Sequence, residues 1–124
     1  MDASKNLIRY TYERVRSKTF PKADRWIMPK SIWDEVSAAH TKIIRANAIK
    51  VETAEEAVER MLLEKEAIGH LEAAVSLIDT CHCLGHISDD QADFWTGLAT
   101  DTENLAKAWL KSNRQSYKEL LKLD

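Results

Sequence analysis

Glycine and proline are both scarce: the chain holds three glycines and two prolines in 124 residues. All-β folds need many turns, and turns draw on those residues, so the shortage favours helices with few connections. Long apolar runs are missing as well. No stretch approaches the ~20 residues that span a bilayer. The opening MDASKNLIRYTYERVR lacks an apolar core followed by a small-residue cleavage site, so it does not read as a signal peptide. Cysteine is confined to Cys81 and Cys83, which sit too close together to staple distant segments. A reducing, cytoplasmic home is the simplest reading, with no membrane partner.

What is present points to one globular domain over 1–124. Apolar residues make up 44% and charged residues 31%, which places the chain among globular rather than disordered sequences. A chain of this length hides roughly two-thirds of its unfolded surface, enough for a core without staples.

The apolar periodicity predicts four helices. The first, over about 3–18, carries Leu7, Ile8, Thr11/Tyr12 and Val15 at helical spacing and ends before Phe20-Pro21. An irregular connection, FPKADRWIMPK, contains Trp26, Ile27 and Met28 and is expected to pack down. Pro29 suits the first turn of a second helix over about 29–50, whose stripe reads Ile32/Trp33, Val36, Ala39/His40, Ile43 and Asn47. Thr53-Ala-Glu-Glu56 has the spacing of a capping box and opens a third helix over about 54–84. Its expected seam is Met61, Ile68 and Val75 with Leu71 and Ile78, flanked by Ala67, Ala74 and Cys81. Gly85 reads as the residue just past that helix, and Ser88-Asp-Asp-Gln91 as a second capping box. The fourth helix, from about 89 past 109, carries Trp95, Leu98, Thr102, Leu105 and Trp109; the tail keeps Tyr117, Leu120 and Leu121 at helical spacing. Short connections imply an all-α, antiparallel up-down four-helix bundle.

Catalytic and metal motifs are hard to find. Cys81-His82-Cys83-x-x-His86 offers zinc-ligand chemistry, yet residues two apart on a helix point about 200° apart, and a second ligand pair is missing. Diiron bundles use Glu-x-x-His, whereas Glu66 and His70 are one residue too far apart and no second copy exists. None of His40, His70, His82 and His86 follows an arginine at short distance, and no phosphate loop or nucleophile elbow occurs. The sequence reads as that of a non-enzyme without cofactor or metal.

Charge is unevenly distributed. Residues 1–50 hold 11 basic and 5 acidic side chains, residues 51–104 hold 2 and 13, and residues 105–124 hold 5 and 2. Arg9, Arg14, Arg16, Lys18, Lys22, Arg25 and Lys30 alternate with Tyr10, Tyr12, Phe20 and Trp26, and Lys107, Lys111, Arg114 and Lys118 close the last helix. Such a stripe is able to neutralise phosphates; the plainer alternative is a solvated face that offsets the acidic third helix.

The order of these features resembles a known family. A Phe-Pro-Lys segment after a short first helix, Ile44-Arg45-Ala46-Asn47 in a long second helix, EAIGHLEAAVSLIDTCHCLGHISDDQ in the third, and Trp109-Leu110-Lys111-Ser112-Asn113-Arg114 in the fourth resemble the accessory variability determinant of diversity-generating retroelements. They are also similar to the wider four-helix-bundle family that includes ribosomal-RNA intervening-sequence proteins. The match covers about residues 8–116. The resemblance implies a homopentameric barrel that is not an enzyme, binds a reverse transcriptase and its template RNA, and supports mutagenic cDNA synthesis. Members of the retroelement branch are strongly basic, whereas this chain carries a net charge of −2. That difference directs RNA to a restricted basic surface, expected to comprise Arg14, Arg16, Lys18, Lys22, Arg25, Lys111 and Arg114. It directs docking on a basic polymerase to the acidic third helix, through Glu55 and Glu59.

Overall fold

In the computed structural model, which describes residues 2–17, 20 and 27–122, the local signals become helices α1 (Asp2–Val15), α2 (Met28–Ala48), α3 (Ala54–Cys83), α4 (Asp89–Ser116) and the single turn α5 (Lys118–Leu121). No strand occurs among the described residues. Both capping boxes form: Thr53 accepts from the Glu56 amide while Glu56 accepts from the Thr53 amide, and Ser88 and Gln91 do the same for α4. Each arrangement satisfies donors that a helix start leaves unpaired. Gly85 adopts φ 77°, and the amides of Gly85 and His86 reach back to the carbonyls of His82 and Cys81, both at 3.0 Å. This pair of bonds is a Schellman closure, which needs a residue at ease in the left-handed region.

The four long helices pack together. α2 lies chiefly against α3 and α3 against α4, while α1 bridges α2 and α4 more lightly. Cross-helix partners define the register: Tyr12 with Trp33, Ser4 with His40, Glu35 with His70, Lys42 with Glu66, Glu64 with Asn113, and His82 with Asp89. The core gathers Leu7, Phe20, Ile32, Val36, Leu71, Ile78 and Trp95. The Trp95 indole donates to Thr11 Oγ1 at 2.9 Å, and Thr11 in turn donates to the Leu7 carbonyl at 2.8 Å, so neither buried polar group is left unpaired.

The seams differ from the periodicity reading in one consistent way. On α3 the buried line is Ala57, Glu64, Ala67, Leu71, Ala74, Ile78 and Cys81, so the small residues expected to flank the seam form its centre, with Met61, Ile68 and Val75 only half-buried. On α4 the buried residues are Ala92, Trp95, Ala99, Thr102, Ala106 and Asn113; Leu98 and Trp109 are half-buried and Leu105 is exposed. On α2 Ala46 replaces the exposed Asn47. The alanines share these lines with Leu71, Ile78 and Trp95, which keep their expected seam positions. The tail does not prolong α4: the helix breaks at Tyr117, and α5 rests on α3 and α4.

Candidate nucleic-acid and partner interfaces

Residues Lys5, Arg9, Tyr12 and Arg16 follow one another at steps of four, three and four, and so form one stripe of α1 and the turn after it. The stripe lies away from Ser4, Leu7 and Thr11, which face the core, and all four of its residues are exposed. The Arg16 guanidinium lies over the Tyr12 ring, 4.9 Å from its centroid. Tyr12 also meets Trp33 of α2, with centroids 6.0 Å apart and planes inclined at 59°. Arg14 behaves differently. It is half-buried, its guanidinium lies 5.6 Å from the Tyr10 centroid, and its Nε is buried without a hydrogen-bond partner among the described residues.

Of the cations expected to face nucleic acid, then, Arg16 is open to solvent and Arg14 is partly committed to packing, while Lys18, Lys22 and Arg25 lie outside the described residues. Lys111 and Arg114 are exposed near the end of α4. Trp95, near the start of that helix, is the residue that touches Thr11 of α1. At 1.5 Å per residue Arg114 lies roughly 29 Å further along the axis. Among the described residues, the fold therefore separates Arg16 from Lys111 and Arg114.

The end of α4 has a neighbour that the sequence reading missed. Arg114 lines a groove of about 320 Å³ with Val58, Met61, Leu62, Lys65 and Leu121. Val58 and Leu62 are 53% and 52% exposed, an unusual outlay of apolar surface for a helix also bearing a full core seam. Glu55 and Glu59 are exposed beside them at helical spacing, so the acidic pair frames an apolar strip. The available signal was Val58 and Leu62 themselves, apolar residues that fall outside the α3 heptad. A second groove of about 500 Å³, between α1 and α4, is lined by Asn6, Arg9, Tyr10, Glu13, Phe94 and Leu98. Tyr10 and Phe94 pack edge to face there at 4.8 Å, and burial raises the Tyr10 pKa.

The histidines and carboxylates are engaged with one another. His70 Nδ1 lies 2.7 Å from Glu35 of α2, and Glu66 pairs with Lys42 at 2.6 Å. The Lys42 hydrogen bond, the largest influence on it, lowers the Glu66 pKa. His40 Nδ1 lies 2.6 Å from the buried Ser4 hydroxyl, and burial lowers its pKa. Cys81 is buried while Cys83 is exposed, so the two thiols point to different environments, and His82 pairs with Asp89 at 2.5 Å. Among the described residues no three of these groups are placed to hold a metal ion. No described helix is long and apolar enough to cross a membrane.

Comparison with protein-family models, with curated proteins and with solved structures gives no match.

Proposed function

We propose that this chain is a non-enzymatic accessory protein of a diversity-generating retroelement, cytoplasmic and without cofactor, that binds the reverse transcriptase and template RNA and supports mutagenic cDNA synthesis. The observation that carries the reading is the division of charge between helices. Exposed cations follow one stripe of α1, while exposed Glu55 and Glu59 frame the apolar strip of α3. An anionic polymer and a basic protein are thereby offered different surfaces of one domain.

The bundle runs up-down-up-down, with neighbouring helices antiparallel. Supporting this, partner numbers fall on one helix as they rise on the next: Glu35 with His70 but Lys42 with Glu66, and Glu64 with Asn113 but His82 with Asp89. Copies of the domain assemble as a homopentamer. Exposed Phe94 on α4 and exposed Val58 and Leu62 on α3 lie on different faces and favour a head-to-tail contact, which closes into a ring when its rotation allows.

Docking is tested by Glu55→Lys with Glu59→Lys. The double variant is expected to keep RNA affinity and lose co-purification with the reverse transcriptase; undiminished co-purification contradicts the assignment. The net charge of −2 favours one other reading, a stand-alone RNA-binding or structural protein of the ribosomal-RNA intervening-sequence type. The gene's neighbourhood separates them: an adjacent reverse-transcriptase gene supports the first, and an insert within a ribosomal-RNA gene supports the second.

A further inference from the structure

We infer that Tyr12, Arg16 and Trp33 form a stacking platform for unpaired bases, so that the α1 surface takes single-stranded rather than duplex RNA; this rests on the RNA-binding reading above. Tyr12 is 49% exposed, a large outlay for an aromatic ring on the first helix of a bundle. Its surroundings are mainly cationic: Lys5, Arg9 and Arg16 share its stripe, and the one acid on it, Asp2, lies at the far end of the helix, ten residues before Tyr12. Glu13, the acid nearest in sequence, shares the groove toward α4 with Arg9, and neither Tyr12 nor Arg16 lines that groove.

A guanidinium resting on a ring has a second flat face, and both flat groups accept a base by stacking. Trp33, inclined against Tyr12 from α2, extends the platform across the gap between two helices. The cations supply the backbone contacts that hold a strand over it, a combination typical of sites for single strands. A duplex keeps its bases stacked inside and offers this platform only sugars and phosphates.

Binding of a 20-nucleotide oligouridine and of a 20-base-pair RNA duplex tests the assignment. Tyr12→Ala is expected to weaken oligouridine binding roughly five-fold or more while leaving its salt slope and the duplex affinity unchanged. Tyr12→Phe, which keeps the ring, is expected to bind as the parent does. Arg16→Lys, which keeps the charge but not the plane, is expected to lose affinity for oligouridine alone. Melting curves confirm that each variant is folded. If Tyr12→Ala and Arg16→Lys bind oligouridine as the parent does while Arg9→Glu with Arg16→Glu does not, the stacking platform is refuted and RNA binding stands. If the double arginine reversal is also without effect, RNA binding itself is refuted. An equal loss on single strand and duplex overturns the platform as well.

Discussion

Glu64 is the residue whose environment most contradicts its chemistry. It is buried at the α3–α4 seam, where Asn113 Nδ2 lies 2.8 and 2.6 Å from its two carboxyl oxygens and Arg60 Nε stands 4.0 Å away. Burial is the dominant influence and raises its pKa above the ordinary 4.5, against the opposing pulls of Asn113 and Arg60. The folded state therefore holds the proton more tightly than the unfolded chain does. The stabilisation from protonated Glu64 is complete below about 4.5 and disappears as the pH rises through the folded value. Glu64→Gln should accordingly raise the melting temperature at pH 7 and remove part of the fall in stability that sets in as the pH rises above about 4.5; thermal melts from acid to neutral pH check it. Removing the partner acts in the other direction. Asn113→Ala leaves the carboxylate without its donor and should cost about 1.5–3 kcal/mol by chemical denaturation at pH 7.

At the scale of the element, the helix ends were legible and the seams only in part: Ile32, Val36, Leu71, Ile78, Trp95 and Thr102 are buried as expected, while Met61, Ile68, Val75 and Leu105 are not. Thr53, Glu56, Ser88, Gln91 and Gly85 act through bonds to residues three to five positions away, so their roles are written in local sequence. Thr53→Ala should cost about 1 kcal/mol, read from denaturant melts. Which line of a helix faces the core depends instead on how closely the neighbouring helix approaches, and periodicity does not contain that distance. Apolar residues surround α3 almost evenly, so Met61, Ile68 and Val75 were as good a seam on paper as Ala67, Ala74 and Cys81. The alanine seam makes its own prediction. Ala99→Leu should overpack the bundle and cost about 1–3 kcal/mol, whereas Leu105→Ala, at an exposed position, should cost far less. Equal losses in the same denaturant experiment would return Leu105 to the core. The candidate surfaces divide likewise. Arg16 could be named from charge alone, but Lys5 and Arg9 join it, and Arg14 turns aside, only once the α1 face is known, and the apolar strip beside Glu55 and Glu59 emerges only once the α3 seam is known.

For the whole molecule, the proposed pentamer would cover exposed Phe94, Val58 and Leu62. Light scattering is expected to give a mass near five times the 14.2 kDa of one chain. A monomer at every concentration would contradict the assembly and leave the apolar strip to a different protein. Phe94→Glu and Leu62→Glu, each on a different groove, should both break the ring, because a head-to-tail contact needs both faces. The electrostatic claim is more central, since RNA binding by a chain of net charge −2 depends on cations being concentrated on one stripe. Arg9 and Arg16 test it more cleanly than Arg14, whose guanidinium is half-buried against Tyr10. The deciding measurement is the affinity of the chain and of its Arg9→Glu/Arg16→Glu variant for single-stranded RNA as salt is raised. Weaker binding by the variant is expected, with a log–log salt slope shallower by about 0.7 for each phosphate no longer neutralised and an unchanged melting temperature. Equal affinities and parallel slopes would contradict it, and would make the α1 stripe a solvated face.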